Sequence, residues 1–334
     1  MSCKPINKLT LSVREELSDL VGVKGITESL QQLGAPYNTL LSLHGLEHAT
    51  DLLCLSVPCN SLVSMQGVEN CTALTYVNAD SNKLTTLRGL CNATSLQSLC
   101  LNYNYLCSLC ELRNMTALRS LVVYHNRLTS LQGLQTCTLL ERLTLANNRL
   151  TSLRGLEKIT GLWHLSVSQN QLLSLCGLQN GALRSLYIRD NKLVSIDLRN
   201  CTALESLDVS INRLTSLQGL KHATALRKLN VSSNRLTSLA GLECLCNLQT
   251  LLLQDNEDVH FAHLEVQKLS DWRQLCRYIH SKILDICIVF WQQLSPYVCL
   301  AVIEHAVPDA LHWTHTSKIN LIHKVYNSCR RFAD

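Results

Sequence analysis

Residues 213–242 read RLTSLQGLKHATALRKLNVSSNRLTSLAGL, in which Arg-Leu-Thr-Ser-Leu stands at 213–217 and again at 235–239, 22 residues later. A repeat of that length marks a stacked array, because a unit so short cannot bury its own apolar face and must lean on copies of itself. Following the asparagine of SSNRL through the chain finds Asn38, Asn60, Asn82, Asn104, Asn126, Asn148, Asn170, Asn191, Asn212, Asn234 and Asn256, eleven units in all. Around each, the pattern is Leu-x-x-Leu-x-Leu/Val-x-x-Asn-x-Leu-x-x-Leu-x-Gly-Leu, as in LERLTLANNRLTSLRGLEKIT from Leu140 to Thr160.

The alternation within Leu143-Thr144-Leu145 has period two, so the leucines face one way and the intervening side chains the other. One short strand per unit follows, stacked in parallel, with leucine inside and a variable outer face. The asparagine row sits where the chain leaves the strand, and its amide can serve backbone groups stranded by the bend. Glycines recur once in most turns (Gly45, Gly67, Gly89, Gly133, Gly155, Gly177, Gly219, Gly241), in keeping with a second bend on the far side. Two units are one residue short, Leu162 to Leu183 and Leu183 to Leu204, and the second has SIDLRN in place of Ser-Leu-x-Gly-Leu. A local change of curvature is expected there, either shaping a binding face or marking a tolerated deletion.

This pattern resembles the 22-residue class of leucine-rich repeat, as in regulatory subunits of protein phosphatase 1 and in bacterial internalins. The resemblance implies an α/β solenoid, a horseshoe with a parallel sheet on its concave face. Repeats are expected over 30–262, after a degenerate first repeat or cap at 1–29. From about His263 the apolar spacing turns helical, which predicts an α-helical C-terminal module over 263–334. LSPYVCLAVIEHAV and INLIHKVYNSCRRF resemble the opening and closing of an F-box, matching at Leu294, Val298, Leu300, Ile303, Val325, Arg330 and Phe332. They depart from it at Ser295, with the proline displaced to Pro296, and at Cys329 in place of tryptophan. The resemblance implies that Tyr297, Val298, Leu300, Ala301 and Val302 dock an adaptor of a cullin ubiquitin ligase. The plain alternative is a helical cap.

Net charge is +5, only 16% of residues are charged, and no basic block suits phosphate tracking, so no nucleic-acid partner is expected. No secretory signal is read at the N-terminus, and ILDICIVFWQQLSPYVCLAVI is interrupted by Asp285, two glutamines and Pro296. The expectation is a cytoplasmic protein without a membrane span. The 17 cysteines include Cys71, Cys137 and Cys201 in a slot shared with Ala93, Met115 and Ile159, so they read as reduced apolar residues. Cys107-x-x-Cys110 and Cys244-x-Cys246 lack matching halves, and no metal or other cofactor is expected. The triplets at Asn70, Asn92, Asn114 and Asn200 arise because the repeat already requires the threonine two residues on; Asn230 adds one more.

No phosphate-cradling glycine loop, His-Glu-x-x-His or Gly-x-Ser-x-Gly is present, which points away from an enzyme and towards a non-enzymatic binding protein. Its partner surface belongs on the outward strand positions, the third, fifth and seventh from each unit's first leucine. Eleven strands about 4.8 Å apart offer a face roughly 48 Å long, suited to a protein partner. Those positions and the one after carry Tyr76, Asp80, Tyr103, Tyr124, His125, Arg142, His164, Tyr187, Arg189, Asp190 and Asp208. Tyrosine and arginine are frequent binding anchors, and here they gather in the middle units. The role is a protein-recognition face, with a ligase substrate receptor, a phosphatase-regulatory scaffold and an internalin-type surface receptor or adhesin as its alternatives.

Overall fold

The computed structural model describes residues 7–11, 17–237, 241, 242, 244, 245 and 247–256. The expected C-terminal module, with Tyr297 to Val302, lies outside these residues. Two compact units are present, divided between Lys192 and Leu193, inside the second of the two short repeats.

The first unit is a parallel sheet of three-residue strands taken in chain order: β1 (Lys8–Thr10), β2 (Gln32–Gly34), β3 (Cys54–Ser56), β4 (Tyr76–Asn78), β5 (Ser98–Cys100), β6 (Ser120–Val122), β7 (Arg142–Thr144), β8 (His164–Ser166) and β9 (Ser185–Tyr187). The second holds β10 (Ser206–Asp208), β11 (Lys228–Asn230) and β12 (Thr250–Leu252), also parallel, followed by a bridge between Asn234 and Asn256. The central leucine or valine is buried in every strand but β1, and every flanking residue is partly or fully exposed. The period-two reading therefore places the leucines correctly.

The asparagine ladder is built as a bridge between turns. Asn148 is representative: its Oδ1 accepts the Leu128 N–H at 3.0 Å, and its Nδ2 donates to the carbonyls of Val123 and Leu145, each at 2.9 Å. The bend itself lies one residue earlier, where Tyr103, His125, Asn147 and their counterparts have φ between 53° and 58°. Among them Ile211 is a β-branched residue held at φ 53°, a conformation such side chains rarely adopt.

The α part of the α/β reading is corrected. The described residues contain no α-helix; the return path is a succession of turns, with 3-10 segments at Cys110–Asn114 and Gln218–Leu220. Leu90 donates to the Leu87 carbonyl, Ala93 to Leu90 and Leu96 to Ala93, at 3.0, 2.9 and 3.1 Å. Bonds from i to i−3 give three residues per turn, so apolar residues spaced by three all face inward. An α-helix would rotate them apart. The glycine bend reinforces this: Gly67 has φ 108°, and a Cβ there would collide with the Leu43 backbone carbonyl.

The two short repeats lose their residue on this return path, away from the strands. In the first, buried Asn180 fills the gap, donating to the Ile159 carbonyl at 2.8 Å and accepting the Ala182 N–H at 3.0 Å. The register of β8 and β9 continues undisturbed, His164 beside Ser185 and Ser166 beside Tyr187. In the second, the glycine bend is missing, and Asp197 instead accepts from the Arg199 backbone and guanidinium.

Candidate functional site

The strand face of the first unit carries most of the expected residues, and the structure divides them into two clusters. The first lies at the bend after the strands. Tyr103 and Tyr124 meet edge to face with centroids 5.1 Å apart, and His125 stands 4.9 Å from Tyr103 and 5.8 Å from Tyr124. Tyr103 and His125 occupy left-handed bend positions of successive turns, which turns both side chains outward onto one rim. Hydrogen bonding to Tyr124 raises the Tyr103 phenol above its ordinary value.

A polar line braces this cluster. Asp80 accepts the Asn102 backbone N–H at 2.6 Å and its side-chain amide at 3.3 Å; Asn102 in turn accepts the Tyr124 N–H at 2.8 Å. On the other side the Asn147 amide meets Nδ1 of His125 at 2.7 Å. Burial pushes the Asp80 carboxyl up, against the two bonds from Asn102.

The second cluster is built from the starts of β7 and β8 and, through Tyr187, the end of β9. His164 is 5.6 Å from Tyr187 and 5.7 Å from Trp163, and the Arg142 guanidinium lies 5.9 Å from the Trp163 ring centroid. Burial, and second the Arg142 charge, push the His164 imidazole below its ordinary value, so it is neutral at pH 7. Trp163 was not among the expected residues. It stands second from Leu162, one place outside the outward positions, and only its ring contacts reveal its membership.

Tyr76 belongs to neither cluster. It shares its part of the face with Cys54, Cys100 and Asp80, and burial raises its phenol. Arg189 and Asp190 are exposed after β9, and Asp208, in the second unit, accepts from the Ser210 hydroxyl at 2.6 Å.

The thiols on or beneath this face are poor nucleophiles. Burial raises Cys54 and Cys100, and drives Cys71 and Cys137 to about 11, so each remains protonated at pH 7. Cys71 and Cys137 each lie 3.6 Å from a leucine carbonyl of the preceding turn. Among the described residues no group of three or more His, Cys, Asp or Glu could hold a metal ion, and no helix is long and apolar enough to cross a membrane. The triplet asparagines have structural work: the Asn70 and Asn92 amides donate to the Glu47 and Glu69 carbonyls at 3.0 and 3.1 Å.

The strand face of the first unit thus carries paired aromatic rings, an imidazole held below its ordinary value and the Arg142 guanidinium on a braced backbone.

A family model of leucine-rich repeats in two copies matches residues 116–158 and 182–222. Comparison with curated proteins found no match. Among solved structures, an internalin (inlF) from Listeria monocytogenes is 26% identical with a TM-score of 0.70, covering 76% of each chain. The leucine-rich effector YopM from Yersinia pestis is 27% identical with a TM-score of 0.55, covering 68% of this chain and 61% of YopM. A leucine-rich repeat protein of Leptospira interrogans, 22% identical with a TM-score of 0.55, covers 68% of this chain and 67% of its own; it shares the fold alone. The chain carries leucine-rich repeats, a fold typical of protein–protein interaction.

Proposed function

We propose that this is a non-enzymatic recognition protein that binds a protein partner through the strand face of β4–β9, anchored by Tyr103, Tyr124, His125, Arg142, His164 and Tyr187. One observation carries the reading. Tyr103 is 49% exposed, yet it is set by a left-handed backbone and by edge-to-face contact with Tyr124. An aromatic side chain fixed before the partner arrives loses little freedom on binding, which is the property of an anchor.

Affinity capture with wild type, Tyr124→Ala and Arg142→Ala tests the reading. Truncating an anchor of this kind costs about 2 kcal/mol or more, roughly a thirtyfold loss of affinity. Unchanged partners and affinities in both variants would remove this face from consideration.

A second element of the proposal rests on the C-terminal pattern, Leu294 to Ile303 and Val325 to Phe332. Placed after a recognition array, an adaptor-binding box would make the chain a substrate receptor, acting only by holding its target near the ligase. Co-precipitation of the full chain and a 1–262 truncation, each probed for a cullin adaptor, decides this. Adaptor on the full chain alone supports the box; no adaptor on either reduces residues 263–334 to a cap.

A further inference from the structure

The leucines of Arg-Leu-Thr-Ser-Leu are core, but its arginine has no part in the ladder or the strand face. In the first unit the residue after each ladder asparagine forms its own row, which after Thr39 and Ser61 continues as Lys83, Tyr105, Arg127, Arg149, Gln171 and Lys192. From Lys83 onward each backbone N–H donates to a leucine carbonyl one turn back, Arg127 to Leu106 and Arg149 to Leu128 both at 2.8 Å. Those bonds hold the row at the pitch of the sheet, about 4.8 Å per turn. From Lys83 to Gln171 the row's side chains are exposed.

The neighbouring positions strengthen the charge. The strip of the first unit formed by residues 83–88, 105–110, 127–132, 149–154, 171–176 and by Lys192, where the unit ends, contains the cations Lys83, Arg88, Arg127, Arg149, Arg154 and Lys192 and no aspartate or glutamate. Just beyond it, Glu111 is held by the Thr86 hydroxyl at 2.6 Å. Four other carboxylates of this unit are engaged elsewhere: Glu47, Glu69 and Glu157 accept the N–H groups of Gly45, Gly67 and Gly155 at 2.7, 2.8 and 2.8 Å, and Glu141 pairs with Arg119; Asp190, two residues before Lys192, is exposed. The strip's own charges are therefore all positive, and at its end Lys192 Nζ donates to the Gln171 side-chain carbonyl at 3.3 Å. Arg127 is also positioned, its guanidinium stacked 4.6 Å from the Tyr105 ring centroid.

We propose that this strip is a second interaction surface, separate from the strand face, and that it takes an acidic, extended peptide segment of a partner protein. From Lys83 to Lys192 the row advances five turns, about 24 Å, which an extended chain covers in roughly seven residues. Carboxylates spaced along such a segment meet Lys83, Arg127, Arg149 and Lys192 in order, and the Arg127 fork donates two parallel N–H bonds to a carboxylate. Bases would need successive stacking platforms. The strip has one aromatic ring, Tyr105, and Arg127 already covers a face of it.

The test is fluorescence anisotropy of a labelled octaglutamate peptide with the full chain at low salt. Saturable binding that weakens as salt rises is expected, with about a tenfold loss in the double variant Arg127→Glu/Arg149→Glu. Arg119→Gln, on the other edge of the strands, and Tyr124→Ala, on the strand face, should leave the affinity unchanged; the latter separates this surface from the proposed recognition face. The charge-neutral Arg127→Gln/Arg149→Gln variant should fall in between with its urea midpoint intact. Absence of saturable binding, an equal loss in Arg119→Gln, or tighter binding of an oligouridylate of equal charge or of phosphatidylserine vesicles would overturn the proposal.

Discussion

Replacing Asn148 by alanine probes the bridge that joins one turn to the next. Four hydrogen bonds disappear: the Leu128 N–H loses its acceptor, and the carbonyls of Val123, Leu145 and Ala146 lose a donor. They are not equal losses. Leu145 keeps the Asn170 amide at 3.0 Å, and the Ala146 bond is the longest at 3.3 Å. The cost therefore concentrates on the Leu128 N–H and the Val123 carbonyl. An unsatisfied buried polar group costs about 1–3 kcal/mol, so two amount to about 2–6, with water entering the small vacated space favouring the lower half. We expect about 3 kcal/mol by urea unfolding. Amide exchange should show Leu128 losing protection more than residues several turns away, because each turn of a solenoid depends on its neighbours. Ser130→Ala, an exposed site on the same return path, should change stability by less than about 0.5 kcal/mol. A loss in Asn148→Ala no larger than in that control would refute the bridging account.

Gly67→Ala should cost about 3 kcal/mol or more in urea unfolding, since its φ is 108° and the new Cβ strikes the Leu43 carbonyl; Gly22→Ala, with φ 75° and open space around it, should cost about 1. Ile211→Asn should stabilise by about 1 kcal/mol, because asparagine tolerates the left-handed backbone that isoleucine occupies at φ 53°, and a raised urea midpoint would show it. His164 has a folded pKa below its ordinary 6.5, so the native state favours the neutral ring. Stability from this residue is complete above the unfolded value and is lost as pH falls through the folded one, and a pH series of unfolding midpoints should lose that part of its slope in His164→Gln.

Much of the architecture was legible because the repeat is local and self-consistent. Every unit meets copies of itself, so a leucine recurring every 22 residues has the same inward environment each time, and an asparagine beside it faces the same stranded backbone groups. Parallel strands, leucine core and amide ladder follow from that alone. The path of the return segment was not legible, because Leu87, Leu90, Ala93 and Leu96 are compatible with any tight helical path until the bonds are seen; i to i−3 pairing selects turns over the α-helix that the α/β resemblance implied. The left-handed residue before each asparagine was equally hidden, since tyrosine, cysteine, serine, histidine and isoleucine all occupy it and none advertises a positive φ.

The site divides in the same way. Outward alternation, with the position after it, was the reason to expect Tyr103, Tyr124, His125, Arg142, His164 and Tyr187, yet their grouping depends on contacts between side chains of neighbouring turns. Trp163 joined His164, Tyr105 came under Arg127, and Tyr76 stood apart for that reason. A periodic sequence specifies which way each residue faces, because orientation is set by the local backbone. Which residues touch is decided by how neighbouring turns stack and bend, and only the folded chain brings those turns side by side.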